Sequence, residues 1–493
     1  MSVLTSNRGD TDRAVSLTVA LAVLGVFITY VPITAVAVAL TSIGSANGAS
    51  TVDMQWISDF YIIPMAAMVL SAGVFGDIYG RRLIFLVGMA LTVLGSGISA
   101  LAATQGGLTG IHILWCGQAV TGFGAGLLLP TTLALIAHAV PDPRKRGPYI
   151  ALWATGLVMG LALGPLISGG ILEADAGWGW IFVPIAGLAA LGGVVGGLLL
   201  PESKSPQGRH LDWPGQISAS IAIAASIFGV IKGGESGWAS AGAVTGLVIA
   251  AAAAAVFVVT EMRVPSPLVQ LSIFRSLNFT VAGLAALVAL FSIVGSTFVL
   301  SLFMGRVQQL SALDIGLRLL FVTGVCALVN PLVGIVMHRF APTVLLAAGL
   351  GLAAVSMVLL SGVDAGTGLV DLGWRLAIFG VAVAMMLSTV SVAAINSVPF
   401  QLAGMASATN TALRQFGGAL GPAVLGVVFG SQIDSGATPV SALHTSLLVI
   451  AAILAAATVA CVIAWLVTRH KQSSPEVHRP MDPATVMVDV QTV

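Results

Sequence analysis

The stretch MQWISDFYIIPMAA (54–67) places a carboxylate, Asp59, inside the start of an apolar run that meets no further charge until Asp77. A carboxylate in a membrane cavity can bind and release a proton or hold a cation, so an intramembrane acid is a functional candidate by default. The competing reading is a hydrated acid near a helix end: Trp56, one turn earlier, fits an aromatic belt at the membrane surface. Other polar side chains lie inside apolar runs. Gln118, Asn330, Asn396, Asn410 and Arg414 can line a cavity or gate, or hydrogen-bond a neighbouring helix, and Tyr61 can do so beside Asp59. Arg414 reads first as a brace for an inner gate. Asp314 and Arg318, four residues apart, read as a helix-surface pair. Cys116, Cys326 and Cys461 lie in apolar runs without pairing or metal-ligand spacing, and His112 and His138 show no ligand spacing. With no nucleophile–base constellation, phosphate loop or soluble domain, neither an enzyme nor a cofactor or metal is expected.

The elements that position these residues follow from composition. Of 493 residues 57% are hydrophobic and only 8% charged, where a soluble globule carries about a quarter charged. Mean hydropathy is +1.03. The 58 glycines suit membrane helices, whose backbones approach closely through small residues. The net charge of +1 argues against a nucleic-acid partner. Runs of about 20 apolar residues predict fourteen spans, near 15–41, 54–75, 83–103, 111–139, 149–172, 181–200, 215–232, 241–261, 279–304, 314–337, 342–362, 373–397, 402–430 and 442–468. With the N-terminus inside, fifteen of the twenty Lys and Arg fall in cytoplasmic segments, which requires an even span count and both termini in the cytoplasm. The expected division is a cytoplasmic tail (1–14), a six-helix bundle (15–200), connectors with two inserted spans (201–278), a second six-helix bundle (279–468) and a disordered cytoplasmic tail (469–493).

Two motifs stand out. GVFGDIYGRR (73–82) sets Gly73, Gly76 and Gly80 around a tight turn, with Asp77 able to pair with a base or cap a helix, and Arg81 and Arg82 able to reach lipid phosphates or the partner half. GLVMGLALGPLISGG (156–170) repeats Gly156, Gly160 and Gly164 on one helical face, followed by Pro165 and Gly169, a close-packed and bendable seam.

These segments resemble motif A and motif C of the major facilitator superfamily, the latter characteristic of its antiporters. Fourteen spans, LDWPG (211–215), ALRQFGGALGPAVLG (412–426) and QWISDFY (55–61) are similar to its fourteen-span drug:proton antiporter branch, including quaternary-ammonium exporters. The resemblance implies an all-α fold of two six-helix bundles plus two inserted helices, working by alternating access. It implies a monomer in the bacterial inner membrane that exports hydrophobic small molecules, cationic ones included, in exchange for protons, with membrane lipids as the other partners. The sequence departs from the pattern where it matters. Pro32 stands where the branch has an Asp in span 1, Gln118 where span 4 has an Arg, Ile78 for the first Arg of motif A, Gly179 for the Arg of a Trp-Arg-Trp, and Gly305 for a Gln. Asp59 is then the only acid inside a span of the N-terminal bundle. The alternative expectation is a dedicated exporter or flippase of one metabolite or lipid, with altered or no proton coupling.

Overall fold

The computed structural model describes residues 3–473 apart from 141, 143–144, 205–211, 266, 338 and 400–401. The tail expected to be disordered lies outside the described residues from 474 onward, and so does Leu211 of LDWPG. Fourteen long helices follow in order: α1 (Val3–Asn47), α2 (Thr51–Tyr79), α3 (Arg81–Ala102), α4 (Gly107–Ala139), α5 (Gly147–Glu173), α6 (Val183–Leu199), α7 (Trp213–Ser236), α8 (Ala241–Arg263), α9 (Leu277–Arg306), α10 (Ala312–Val336), α11 (Pro342–Leu360), α12 (Leu369–Ile395), α13 (Ala403–Asp434) and α14 (Pro439–Ser473). There is no strand among the described residues. Thirteen helices are long and apolar enough to cross a membrane, and α2 makes a fourteenth when its halves, Thr51–Val69 and Ser71–Tyr79, bent by 56°, count as one span.

Local chemistry fixes the helix ends. Ser50 and Asp53 form a reciprocal capping box at the start of α2, with Asp53 N–H donating to Ser50 Oγ (3.1 Å) and Ser50 N–H to Asp53 Oδ2 (2.9 Å). Ser276 and Ser311 cap α9 and α10 with their side chains, which accept from Phe279 N–H and Asp314 N–H. Inside the spans hydroxyls fold back on the preceding turn, as Thr29 does on the Gly25 carbonyl (2.8 Å), so few polar atoms face lipid.

Helices α1–α6 pack into one bundle and α9–α14 into a second. The α7–α8 hairpin lies outside both, with α7 laid against α2 of the first and α13 of the second. Ser71 of α2 donates to Gln216 Oε1 of α7, Gln216 Nε2 donates to the Ala67 carbonyl, and Phe75 packs on Trp213. The turns after α2, α4, α6, α8 and α10 lie on one face, the basic face by sequence; the turns after α1, α3, α5, α7, α9, α11 and α13 lie on the opposite one.

Candidate functional site

The two bundles meet differently at the two faces. Near the opposite face they are shut. A Cβ on Gly169 of α5 would stand 2.5 Å from Leu313 Cα of α10, and one on Gly316 of α10 would stand 2.8 Å from the Pro165 carbonyl of α5. Gly305 of α9 lies against Thr41 of α1, and Gly426 of α13 against the Gln55 side chain of α2. Arg306 Nη1 reaches Thr51 Oγ1 at 3.3 Å. Toward the basic face the bundles part around a cavity of about 610 Å³ lined from α2, the start of α3, α4, α5, the α8–α9 connector and α13. That volume suits a small organic molecule.

Its wall is mostly apolar, with Trp153 the aromatic contributor and Thr411 and Ser407 among the hydroxyls. Trp153 is fixed by an Nε1 bond to Thr132 Oγ1 (2.9 Å). Its three charged lining residues are Asp77, Arg81 and Arg414. Asp77 and Arg81 pair at 3.0 Å. Arg414 is 6% exposed and forms no ion pair among the described residues. Its Nη2 meets the Tyr30 hydroxyl of α1 at 3.4 Å and its Nε has no partner. Arg414 thus sits at a cross-bundle contact while also lining the cavity.

Asp59 is wholly buried, and neither carboxylate oxygen has a hydrogen-bond partner. The reading of it as a hydrated interfacial acid does not hold: Asp59 is shut off from solvent, while the aromatic cluster of Trp56, Phe60, Trp115 and Phe228 forms around the same turn of α2. Gln55 meets Gly426, and farther along α2 Met65 meets Gln415, so α2 and α13 run antiparallel here. Four residues on from Gln55, Asp59 is in register with the Gly421–Pro422 segment of α13. Gln55 Oε1, Asp59 and Gln415 Oε1 all lack partners along this seam.

The other residues singled out by sequence fall in several places. Tyr61 donates its hydroxyl to the Thr29 carbonyl of α1 (2.5 Å), inside the first bundle. Gln118 does not line the cavity; its Nε2 meets Ser99 Oγ of α3 at 3.2 Å. Asn330 accepts from Ser388, joining α10 to α12. Asn410 contacts the Ala282 carbonyl of α9 at 3.4 Å. Asn396 is not within a span: it caps the end of α12 and is exposed, because the chain turns there ahead of Pro399. Asp314 and Arg318 are 3.7 Å apart on the helix surface.

Motif A works within its own bundle rather than on the partner half. Gly80 has φ +110°, and Arg81 N–H donates to the Ser203 carbonyl (2.9 Å). Arg81 Nη1 reaches the Ala134 carbonyl of α4 (3.3 Å), and Arg82 donates to the Gly197 carbonyl of α6. Arg81 is thus shared between the Asp77 carboxylate and an α4 carbonyl, and Arg82 holds an α6 carbonyl, all within the first bundle, with Gly73 open to the cavity and Gly76 beside Arg81. Motif C divides. Gly156, Gly160 and Gly164 press on Val23, the Phe27 carbonyl and Thr34 of α1, while Pro165 and Gly169 press on α10 across the bundle boundary.

Trp153, Tyr30, Thr411 and the 265–270 connector were not singled out by sequence. Trp153 and Tyr30 lie in apolar runs without any spacing signal, and only the two prolines of VPSPL set the connector apart.

Comparison with known proteins follows the same lines. The chain is 30% identical to the multidrug resistance protein Stp of Mycobacterium tuberculosis over 87% of its length and 78% of the relative's. It is 31% identical to the tetracenomycin C resistance and export protein of Streptomyces glaucescens, covering 83% of this chain and 75% of that one. It is also 30% identical to the multidrug efflux pump LfrA of Mycolicibacterium smegmatis, covering 85% and 84%. Among solved structures, a POT family transporter bound to a thioalcohol-conjugated peptide superposes with a TM-score of 0.69 at 15% identity, covering 94% of this chain and 97% of that one. The nucleoside transporter NupG superposes with a TM-score of 0.63 at 14% identity, covering 91% and 100%. These likenesses concern the fold alone. With the family model matching residues 22–422, a bundle–hairpin–bundle of membrane helices around a one-sided cavity, the chain belongs to the Major Facilitator Superfamily.

Proposed function

We propose that this protein is a monomeric exporter of hydrophobic small molecules in the bacterial cell membrane, working by alternating access and driven by proton influx, with both termini in the cytoplasm. The observation that carries this reading is the one-sided cavity: about 610 Å³ between the bundles, open on the basic face, with close helix contacts at the other. Rocking the bundles about that site would open the α5–α10 and α2–α13 contacts and close the basic side. Relatives named for drug resistance and efflux support a drug-like cargo. The bundles correspond to residues 15–200 and 279–468, with 201–278 as connectors and inserted spans. Motif A holds the turn at the cavity mouth, and motif C supplies the hinge against α10.

Asp59 is the proton carrier in this reading. Closing the α2–α13 seam removes the carboxylate from water without giving it a partner, and an unpaired buried anion costs several kcal/mol. Closure is therefore coupled to a proton on Asp59, which it takes up when the seam faces outward. Inside-out vesicles test this. With a pH gradient, Asp59→Asn is expected to lose gradient-driven dye uptake while still binding dye in detergent, and Asp59→Glu to keep part of the uptake. Wild-type coupling in Asp59→Asn removes Asp59 from the mechanism, and uptake by wild type that ignores an uncoupler removes proton antiport.

A further inference from the structure

We infer that Arg414 is the recognition group of the cavity and that its ligand is an amphipathic aromatic molecule bearing an anionic group, a carboxylate or a phenolate. This deepens the proposed function and rests on the cavity being the substrate site.

The argument is a charge inventory. Asp77 and Arg81 neutralise each other at 3.0 Å, so the pair adds little net field. Among the described residues Arg414 is left as the single uncompensated charge on the lining. It is nine-tenths buried, its Nε has no partner, and its one polar contact among the described residues is a neutral hydroxyl at 3.4 Å, a weak bond by length. Asp59 does not satisfy it. Arg414 and Gln415 lie level with Met65, and Asp59 is six residues back along α2, about 9 Å along the axis at 1.5 Å per residue.

A buried guanidinium is tolerated when something anionic completes it, and its planar fork matches a carboxylate in a bidentate way. The surrounding wall fits the remainder of such a ligand. Trp153, Leu129, Leu133 and Met405 offer apolar and aromatic surface, and Ser407 offers a hydroxyl, that of Thr411 being donated to the Ser407 carbonyl (2.9 Å). Cationic ligands find no free carboxylate on this lining: Asp77 is engaged by Arg81.

Fluorescein and rhodamine 123 share a xanthene scaffold but differ in charge sign, which makes them suitable probes. Binding of each to the purified full-length protein is read by fluorescence anisotropy at fixed salt. Wild type is expected to bind fluorescein about tenfold or more tightly than rhodamine 123, the worth of a charge-assisted contact. Arg414→Gln is expected to lose that margin for fluorescein without weakening rhodamine 123, and Arg414→Lys to keep part of it. Equal affinities, a preference for rhodamine 123, or no fluorescein binding by wild type overturns the inference even if no variant folds. So does a folded Arg414→Gln that binds fluorescein normally, or that loses both dyes alike. No gradient is used, so the test is separable from the transport test. Proton-driven export of rhodamine 123 with no fluorescein binding would keep the function and sink the ligand class. An anion preference without proton-driven uptake would do the reverse.

Discussion

Glycines of motif C should respond to substitution in two distinct ways, and the difference measures whether the outer contacts belong to one conformational state. A methyl group on Gly169 would meet Leu313 Cα at 2.5 Å and its amide N at 2.9 Å, across the boundary between bundles. Carbon atoms rest at about 3.5–4.0 Å, so Gly169→Ala forces α5 and α10 roughly 1 Å apart. Both contacts are backbone and cannot swing away. Overpacking of this kind costs about 1–3 kcal/mol. The cost applies only while the seam is shut, so the equilibrium moves toward the outward-open form by about 5- to 150-fold. A methyl on Gly160 would instead meet the Phe27 carbonyl at 2.6 Å, between α1 and α5 of the same bundle. That contact persists in both states, so Gly160→Ala should lower thermal stability and leave the equilibrium unchanged. Spin labels at Ala46 and Ala365, both exposed at the far face on different bundles, read the separation by pulsed dipolar spectroscopy. Gly169→Ala should populate a longer distance at little cost in melting temperature, and Gly160→Ala the reverse. If both variants show the same distance distribution and the same loss of melting temperature, the seam is ordinary packing and the reasoning is wrong.

Gln216→Leu removes the bonds that tie α7 to Ser71 and to the Ala67 carbonyl and leaves the Ser71 hydroxyl buried, so thermal unfolding in detergent should show a loss of about 1–3 kcal/mol. Gly80→Ala places a side chain at φ +110° and against the Glu202 carboxylate, which should cost at least about 1–2 kcal/mol in the same assay and loosen the α2–α3 turn to proteolysis.

The all-helical membrane plan was legible because hydropathy and run length answer directly to the bilayer: a span is apolar for about 20 residues whatever it packs against. Motif C was legible because small residues every four positions must share a helical face, and three of them meet α1 along that face. Sequence does not say which neighbour a face meets, so the change of partner at Pro165, from α1 to α10, came only with the structure. Polar residues in spans were ambiguous for a similar reason. Gln118 and Asn330 satisfy Ser99 and Ser388 within their own bundles, while Arg414 faces a cavity. An amide or guanidinium in an apolar run looks the same in all three cases. The cavity wall is drawn from residues near 69–81, 129–153, 265–270 and 402–414, and no local pattern marks segments that far apart as neighbours.

The charge on the cargo also decides which part of the proton-motive force can drive export. A cation leaving in exchange for one proton moves no net charge, so the membrane potential is idle. An anion leaving the cell moves down the interior-negative potential, about 2.3 kcal/mol per charge per 100 mV, or roughly fiftyfold in accumulation, and every proton exchanged adds the same again. With Pro32 in the place of the branch's span-1 acid, residues 15–41 carry no carboxylate that could hold a cationic cargo. Gln118, turned into its own bundle toward Ser99, adds no charge to the cavity. Loss of the span-1 acid, which looks like damage in a cation exporter, is thus coherent in an anion exporter. Inside-out vesicles with equal pH on both sides separate the two cases. A lumen-positive potential set by potassium and valinomycin should drive fluorescein uptake, and reversing the gradient should suppress it. Uptake that follows a pH gradient and ignores the potential would refute the anionic cargo and return Asp59 to the role of a cation partner.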